Sequence, residues 1–415
     1  MTAESERAGS ATTCPPLLTT AITYFGDSTD EPLGGHRSDL REHRLARGPR
    51  TPGTGDWGLE LHRVVREIGL TGRGGAHFPV ALKWEAARQA PAGGAVVVNA
   101  AEGEPAAAKD AALLQHSPHV VLDGAQSLAE YVGAREVVIW LHDDAVTTYA
   151  SVALAISERA SAGEPGRPMR IMTVGRHYVS GESSAVIRAV QPTVQGRKPG
   201  FALPMFIADP ARPWGRGPMV LVHNAETLAR VGSLVTLGLD PARYQPTSLI
   251  TVAEPGPGLH LSRRTVIEVA DGTRIGDVVA LVGAGEPGSV LLGGYSGTWL
   301  GWTRAAGMPL DHSALRAAGL SLGAGVLLVI PADRDPLAHA ALLASYLADS
   351  SARQCGPCTF GLPAVAEALD LAARRADPAD GERLRALMDI VTGRGACRHP
   401  DGAVRMVRSA LEAFG

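Results

Sequence analysis

Glycines and basic residues are interleaved in Gly69–Trp84, GLTGRGGAHFPVALKW, a pattern suited to holding a phosphate-bearing cofactor against bare backbone. Gly72, Gly74 and Gly75 carry no Cβ, so the loop can turn tightly and present N–H groups to an anion, with Arg73 and Lys83 supplying positive charge on either side. A surface turn uses the same glycines, so the reading depends on the rest of the chain. A second segment, VVVNAAEGEPAAAKD, reads as a buried strand that delivers Asn99, Glu102 and Glu104 from its carboxyl end, where open α/β sheets place ligands. HYVSGESSAV sets Gly181 and Glu182 at a helix start, QGRKPGFALP puts Lys198 and Phe201 in a loop, and LVHNAETLARV ends a strand at Asn224. Of the 4 cysteines, Cys355, Cys358 and Cys397 fall in the C-terminal part, and Cys14 lies apart as an ordinary thiol.

The elements that must position these residues follow from pattern. The 415 residues suffice for two or three domains, and 45% apolar with 20% charged residues is ordinary for a globular chain. A net charge of -3 without a dense Lys/Arg run argues against nucleic acid or an anionic membrane as partner. Neither a signal-peptide pattern nor a stretch of membrane-spanning length is visible, so the expected location is cytoplasmic, without membrane insertion, free or peripheral to a membrane complex. So few cysteines exclude a disulfide scaffold and point to metal or redox chemistry. Residues 1–52 read as a partly disordered tail that becomes ordered near HRSDLREHRLARG. Over 53–245 helical patterns alternate with short β-rich runs, the signature of an α/β layer with a largely parallel sheet. Short strands around one helix make 246–335 a small α+β module with its connecting segment, and amphipathic periodicity over 336–415 predicts a helical bundle.

Taken in order, the five segments and the C-terminal cysteines resemble the family of flavin-bearing, NADH-oxidising subunits found in respiratory complex I, with its relatives in soluble NAD-reducing hydrogenases and formate dehydrogenases. The resemblance runs from about residue 57 to the C-terminus. It implies an α/β FMN-binding domain, a ubiquitin-like module of the SLBB type, and a helical bundle carrying an iron-sulfur cluster. Carried over by motif position, Gly72, Arg73, Gly74, Lys83, Asn99, Glu102, Gly181, Glu182 and Asn224 would surround FMN. Phe78, Glu104, Lys198 and Phe201 would meet NADH. These residue types suit the task, since an aromatic face stacks on adenine, a carboxylate accepts from ribose or amide groups and a lysine pairs with pyrophosphate. No protein base is needed, because hydride passes directly from nicotinamide to flavin. The implied electron acceptor is a ferredoxin, a membrane cytochrome or a small 2Fe-2S subunit.

The chain departs from the family pattern at Ala101, where NAAEGEP replaces NADEGEP, and at Ser183 in place of the second glutamate of GEE. His77 and Ala81 stand where glycines are usual, and His223 takes the first place of an asparagine pair. The alternative function that these changes keep open is a non-catalytic scaffold or wiring subunit. In the bundle the family's C-x2-C-x2-C run begins here at Ala352 instead of a cysteine, so Cys355, Cys358 and Cys397 would hold a 4Fe-4S cluster with a non-cysteine fourth ligand, or a 3Fe-4S core. His399, Gln354 and solvent are the candidates for the fourth position. The same CGPC could form a redox dithiol of the thioredoxin type, but helical patterns on both sides and the third cysteine at Cys397 favour the cluster.

Overall fold

A computed structural model describes residues 14–415 except 76, 92, 206, 208–211 and 376–377. Among the described residues ten strands form two sheets: β1 (Ile22–Phe25), β2 (Ala95–Asn99), β3 (Glu136–His142), β4 (Met169–Val174), β5 (Val220–Asn224), β6 (Thr247–Pro255), β7 (Leu261–Ala270), β8 (Pro287–Leu292), β9 (Thr298–Gly301) and β10 (Val326–Pro331).

The first sheet has the order β4-β3-β2-β5 with every pairing parallel. Its strands read AVVVN, EVVIWLH and VLVHN because a parallel sheet covered on both faces needs near-continuous apolar runs. Helices Pro118–Val132 and Ala225–Thr236 pack backbone to backbone. A Cβ on Gly124 would lie 1.9 Å from the Leu228 carbonyl oxygen, and one on Gly232 1.8 Å from that of Val120. This reciprocal pair of glycines is what permits the contact.

The second sheet has the order β1-β7-β6-β10-β8-β9 and is antiparallel except for β6 with β10. One face is covered by helix Ile275–Leu281 and the segment around Leu310–Leu322. The other carries Leu291, Tyr295 and Trp299 into a shared core with helices Pro336–Asp349, Leu362–Arg375, Pro378–Val391 and His399–Phe414. Ala106 and Ala107 join the same core, so the three parts of the chain meet at the loop after β2.

The N-terminal segment differs from the sequence expectation. Order begins well before His36: β1 pairs antiparallel with β7, Ile22 opposite Val266, and Arg264 donates to the carbonyls of Gly26 and Ser28. Helix Leu40–Arg47 follows, opened by a reciprocal Asp39–Glu42 cap and tied down where buried Asp123 accepts from His43, Arg44 and Arg159. A strand that exists only through a partner 240 residues away has no local signature. Residues 1–13 of the expected tail lie outside the described residues.

Candidate functional site

In the parallel sheet the chain runs from β2 outward to β3 and β4, then returns to place β5 on the other flank of β2. The reversal leaves a crevice outside the carboxyl ends of β2 and β5, where ligands bind in such sheets. Asn99 and Asn224 stand opposite one another in register at that edge. Asn99 Nδ2 donates to the Gly181 carbonyl at 2.7 Å, and its Oδ1 accepts from Ala101 N–H at 3.3 Å. The loop after β2 is thereby tied to the start of helix Ser183–Val194. Glu182 caps that helix, accepting from the N–H groups of Ser184 and Ala185 at 2.9 and 3.3 Å. Gly74 closes the crevice from the other side, its missing Cβ 3.4 Å from Cβ of Asn224.

Lys83 extends from helix Val80–Arg88 to the Val222 carbonyl at 3.3 Å, near Glu182. Burial pulls its ammonium down to about 8, with the Glu182 charge opposing, and burial also raises Glu182. The ammonium has one long contact to a neutral carbonyl, so it is the crevice's available partner for an anion. Gly72, Gly74, Lys83, Asn99, Gly181, Glu182 and Asn224 are thus brought together at one sheet edge.

Two residues of the expected flavin set are engaged elsewhere. The Arg73 guanidinium donates to Ser248 Oγ at 2.8 Å and lies 3.9 Å from Asp271, which turns it toward the second sheet. Only its backbone stays in the glycine loop, with Arg73 N–H donating to Thr227 Oγ1 at 2.9 Å. Glu102 accepts from Ala111 N–H at 3.1 Å and lines a separate cavity with Thr29, His142 and Arg264. That cavity has room for about one water, at roughly 20 Å³.

Of the residues expected to meet NADH, Phe78 is half-buried beside the glycine loop, its carbonyl accepting from Gly72 N–H at 3.0 Å. Lys198 and Phe201 lie exposed on the loop after helix Ser183–Val194, Phe201 at 79%. Glu104 is held at the junction of the domains, accepting from Tyr295 N–H at 2.8 Å, Ala106 N–H at 3.3 Å and Tyr178 Oη–H at 3.3 Å.

Burial pushes Glu104 up from 4.5 to about 7, hydrogen bonds opposing. The folded chain therefore holds this proton more tightly than the unfolded chain, and its contribution to stability falls as pH rises from about 4.5 to about 7, then levels off. Glu102 is raised in the same way. Urea denaturation of the cofactor-free protein at about pH 5.5 and about pH 8 measures this: Glu104→Gln, which lacks the titrating proton, should gain stability relative to wild type as the pH is raised between the two. The same difference between wild type and variant at both pH values would show that Glu104 does not carry the effect.

Four of the five departures from the family pattern have defined local surroundings, and nothing in the structure explains Ser183. His77 adopts a left-handed backbone, φ 48°, the conformation that favours glycine, and its ring stacks on His312 at 4.2 Å between centroids. Burial holds it down to about 4, so it brings no charge to the crevice at neutral pH. His223 accepts from Trp84 Nε1–H at 3.0 Å and is kept neutral by burial. Ala81 is buried on its helix, and Ala101 is buried with its carbonyl against Gly181.

Sequence reasoning missed the layer beneath the crevice. Buried Lys109 Nζ reaches buried Asp110 at 2.9 Å and Glu226 at 3.2 Å, and half-buried Asn224 Oδ1 at 3.1 Å. Asn224 Nδ2 donates in turn to Asp110. Glu226 continues through Arg230 at 3.3 Å to Glu268 at 2.7 Å, which receives the N–H groups of Leu17 and Leu18. The charge chain thus joins both sheets and the N-terminal segment. Its one signal was the Lys-Asp pair inside the apolar run AAAKDAALL.

At the bundle, Cys355 and Cys358 stand at the opening of the helical segment Pro357–Arg375, and Cys397 precedes helix His399–Phe414. The Cys358 thiol lies against that of Cys355 and near that of Cys397, and burial together with these neighbours pushes it up to about 12. All four cysteines are free thiols. Three neighbouring free thiols, Cys358 buried and Cys355 and Cys397 half-buried, are the soft donor set that iron-sulfur clusters take, so the residues fit such a group. The crevice likewise fits a flavin phosphate and ring, having an ammonium with little competition and a backbone wall where glycines allow close approach.

A doubly covered parallel sheet with a switch-point crevice, joined to a helical module with three converging thiols, defines a cofactor-binding redox protein. Residues 65–233 match the family model described as the Nuo51 FMN-binding domain, and residues 338–415 that of the NADH-ubiquinone oxidoreductase-F iron-sulfur binding region. In both regions the chain thus matches FMN-binding, iron-sulfur-carrying oxidoreductase subunits. It is similar to the Mycobacterium tuberculosis NADH-quinone oxidoreductase F subunit, 27% identical over 377 residues that cover 85% of this chain and 82% of the relative. A second F-type NADH-quinone oxidoreductase subunit, from Rhizobium meliloti, is 28% identical over 419 residues, covering 93% and 92%. Among solved structures, an NAD+-reducing NiFe-hydrogenase in the air-oxidized state aligns with a TM-score of 0.74 at 26% identity, covering 92% of this chain and 66% of that one. The H2-reduced form gives 0.70 at 26% identity, with coverage of 85% and 61%. This chain therefore spans less than two thirds to about two thirds of the hydrogenase chain's length.

Proposed function

We propose that this chain is the NADH-oxidising, electron-transferring component of a redox complex. Bound FMN supplies the chemistry, taking hydride from NADH and releasing electrons singly to an iron-sulfur cluster. The protein's part is placement and electrostatics. Asn99 locks the loop after β2 to Gly181, Glu182 fixes the helix behind the crevice, and Lys83 offers its ammonium to an anionic group. Phe78, Glu104, Lys198 and Phe201 serve the nucleotide side, and Cys355, Cys358 and Cys397 hold the cluster. One observation carries the reading: the Tyr178 ring, just before Gly181 of the crevice, lies 5.3 Å between centroids from the ring of His399, which follows Cys397. Flavin crevice and thiol cluster adjoin, as electron transfer between them requires.

We assign 53–245 to the FMN- and NADH-binding domain, 246–335 to an SLBB-like module with its connecting segment, and 336–415 to the cluster-binding bundle. The acceptor is a partner protein, either a ferredoxin, a membrane cytochrome or a small 2Fe-2S subunit. No helix of the described residues is long and apolar enough to cross a membrane, so such a complex would be reached from its peripheral arm.

Anaerobic stopped-flow mixing of FMN-loaded protein with NADH tests the function. Flavin absorbance should bleach; a flavin that binds but stays oxidised with both NADH and NADPH would refute the enzyme reading. In the same assay, Lys198→Ala is expected to weaken NADH binding roughly 10-fold by removing a pyrophosphate partner while FMN content stays unchanged. Equal loss of both ligands would overturn this division of the pocket.

A further inference from the structure

Ser351 precedes Ala352, the position where the cysteine run lacks its first thiol. It follows helix Pro336–Asp349 and its C-cap Ser350. Its side chain is 5% exposed, and its hydroxyl makes no hydrogen bond of good geometry. A buried hydroxyl left unpaired costs about 1–3 kcal/mol unless something else satisfies it. Arg353, with φ 50°, turns the chain in left-handed backbone between Ser351 and Cys355. The hydroxyl lies within reach of the Cys358 thiol, which has Cys355 beside it and Cys397 nearby.

The other candidates fit less well. Gln354 is exposed. His399 places Nε2 on the Leu347 carbonyl at 2.8 Å and its ring against Tyr178, 5.3 Å between centroids, leaving only a buried Nδ1 free.

We propose that Ser351 is the fourth protein ligand of the cluster, giving an oxygen donor to the iron that Ala352 leaves without a thiolate. The inference rests on the cluster assignment to Cys355, Cys358 and Cys397 made above. Ligation forms an iron–oxygen bond, displaces a water from that iron and releases the hydroxyl proton to solvent, with no change in oxidation state. An alkoxide is a harder donor than the thiolate it replaces, so this site binds its iron less firmly than an all-cysteine site.

The test is anaerobic reconstitution of the full chain with ferrous iron and sulfide, read by iron content and by EPR and Mössbauer spectra. Wild type is expected to hold about four irons per chain with one spectroscopically distinct, and Ser351→Ala about three, with the EPR signal of an oxidised 3Fe-4S core. Ser351→Cys should keep the fourth iron and resist oxygen better than wild type. His399→Ala should match wild type. Thermal unfolding of the cofactor-free Ser351→Ala protein should be unchanged or raised, because only an unpaired hydroxyl is removed, so a lost iron cannot be ascribed to misfolding. Ser351→Ala with the wild-type iron content and spectra would overturn the proposal, as would loss of the fourth iron in His399→Ala alone. Failure of the cluster assignment looks different: wild type and Cys358→Ser would then both hold no iron, with Cys355 and Cys358 found as a reversible disulfide.

Discussion

A Gly181→Ala variant should purify without flavin and take up FMN on the order of 100-fold more weakly than wild type, because a small shift in a pre-positioned site costs about that much. The added Cβ would lie 2.0 Å from the Ala101 carbonyl oxygen, and backbone cannot yield as a flexible side chain can. Relief on either side is blocked by Asn99, whose Oδ1 receives Ala101 N–H while its Nδ2 holds the Gly181 carbonyl. The loop after β2 and the start of helix Ser183–Val194 must therefore separate, and both line the crevice. Overpacking of this kind costs about 1–3 kcal/mol in stability, so a folded protein with an impaired site is expected. Gly175→Ala is the matched control, since a Cβ there meets nothing within 4 Å. Equilibrium dialysis against FMN reads the difference. Wild-type affinity in Gly181→Ala would mean that the crevice is not where the flavin binds.

The second large effect is expected beneath the crevice. Lys109→Met should lower the unfolding free energy by about 3–5 kcal/mol, because it strands buried Asp110 without its cation and leaves Glu226 with Arg230 alone. The methionine matches the lysine stem in length, so the loss is electrostatic and not a cavity. Asn224 loses the ammonium that orients its Oδ1, so FMN affinity should fall together with stability. Lys109 itself is held protonated by these carboxylates, which outweigh its burial. Urea denaturation at neutral pH measures the cost. A variant as stable as wild type would show that the carboxylates find another cation or take up protons without penalty.

The sequence by itself determined the elements and the chemistry they carry. Runs such as AVVVN and VLVHN are apolar on both faces, so they specify buried parallel strands, and their terminal asparagines mark the edge where a ligand sits. Asn224 is legible as a helix cap for a local reason, since a short polar side chain where a strand turns into a helix satisfies free N–H groups. Spacing likewise singled out Cys355, Cys358 and Cys397. What only the tertiary structure decided depends on partners far apart in the chain. Arg73 and Glu102 belong to the family pattern, yet each side chain is directed by a group more than a strand away or by a helix N–H that periodicity does not reveal. Strand β1 exists through β7, and Lys109 acquires its role only where β2, β5 and their helices close around it. Local sequence fixes backbone preference through short-range sterics and hydrogen bonds. The direction of a long charged side chain is set by which distant opposite charge or carbonyl is buried beside it, and that is known only once the chain has folded.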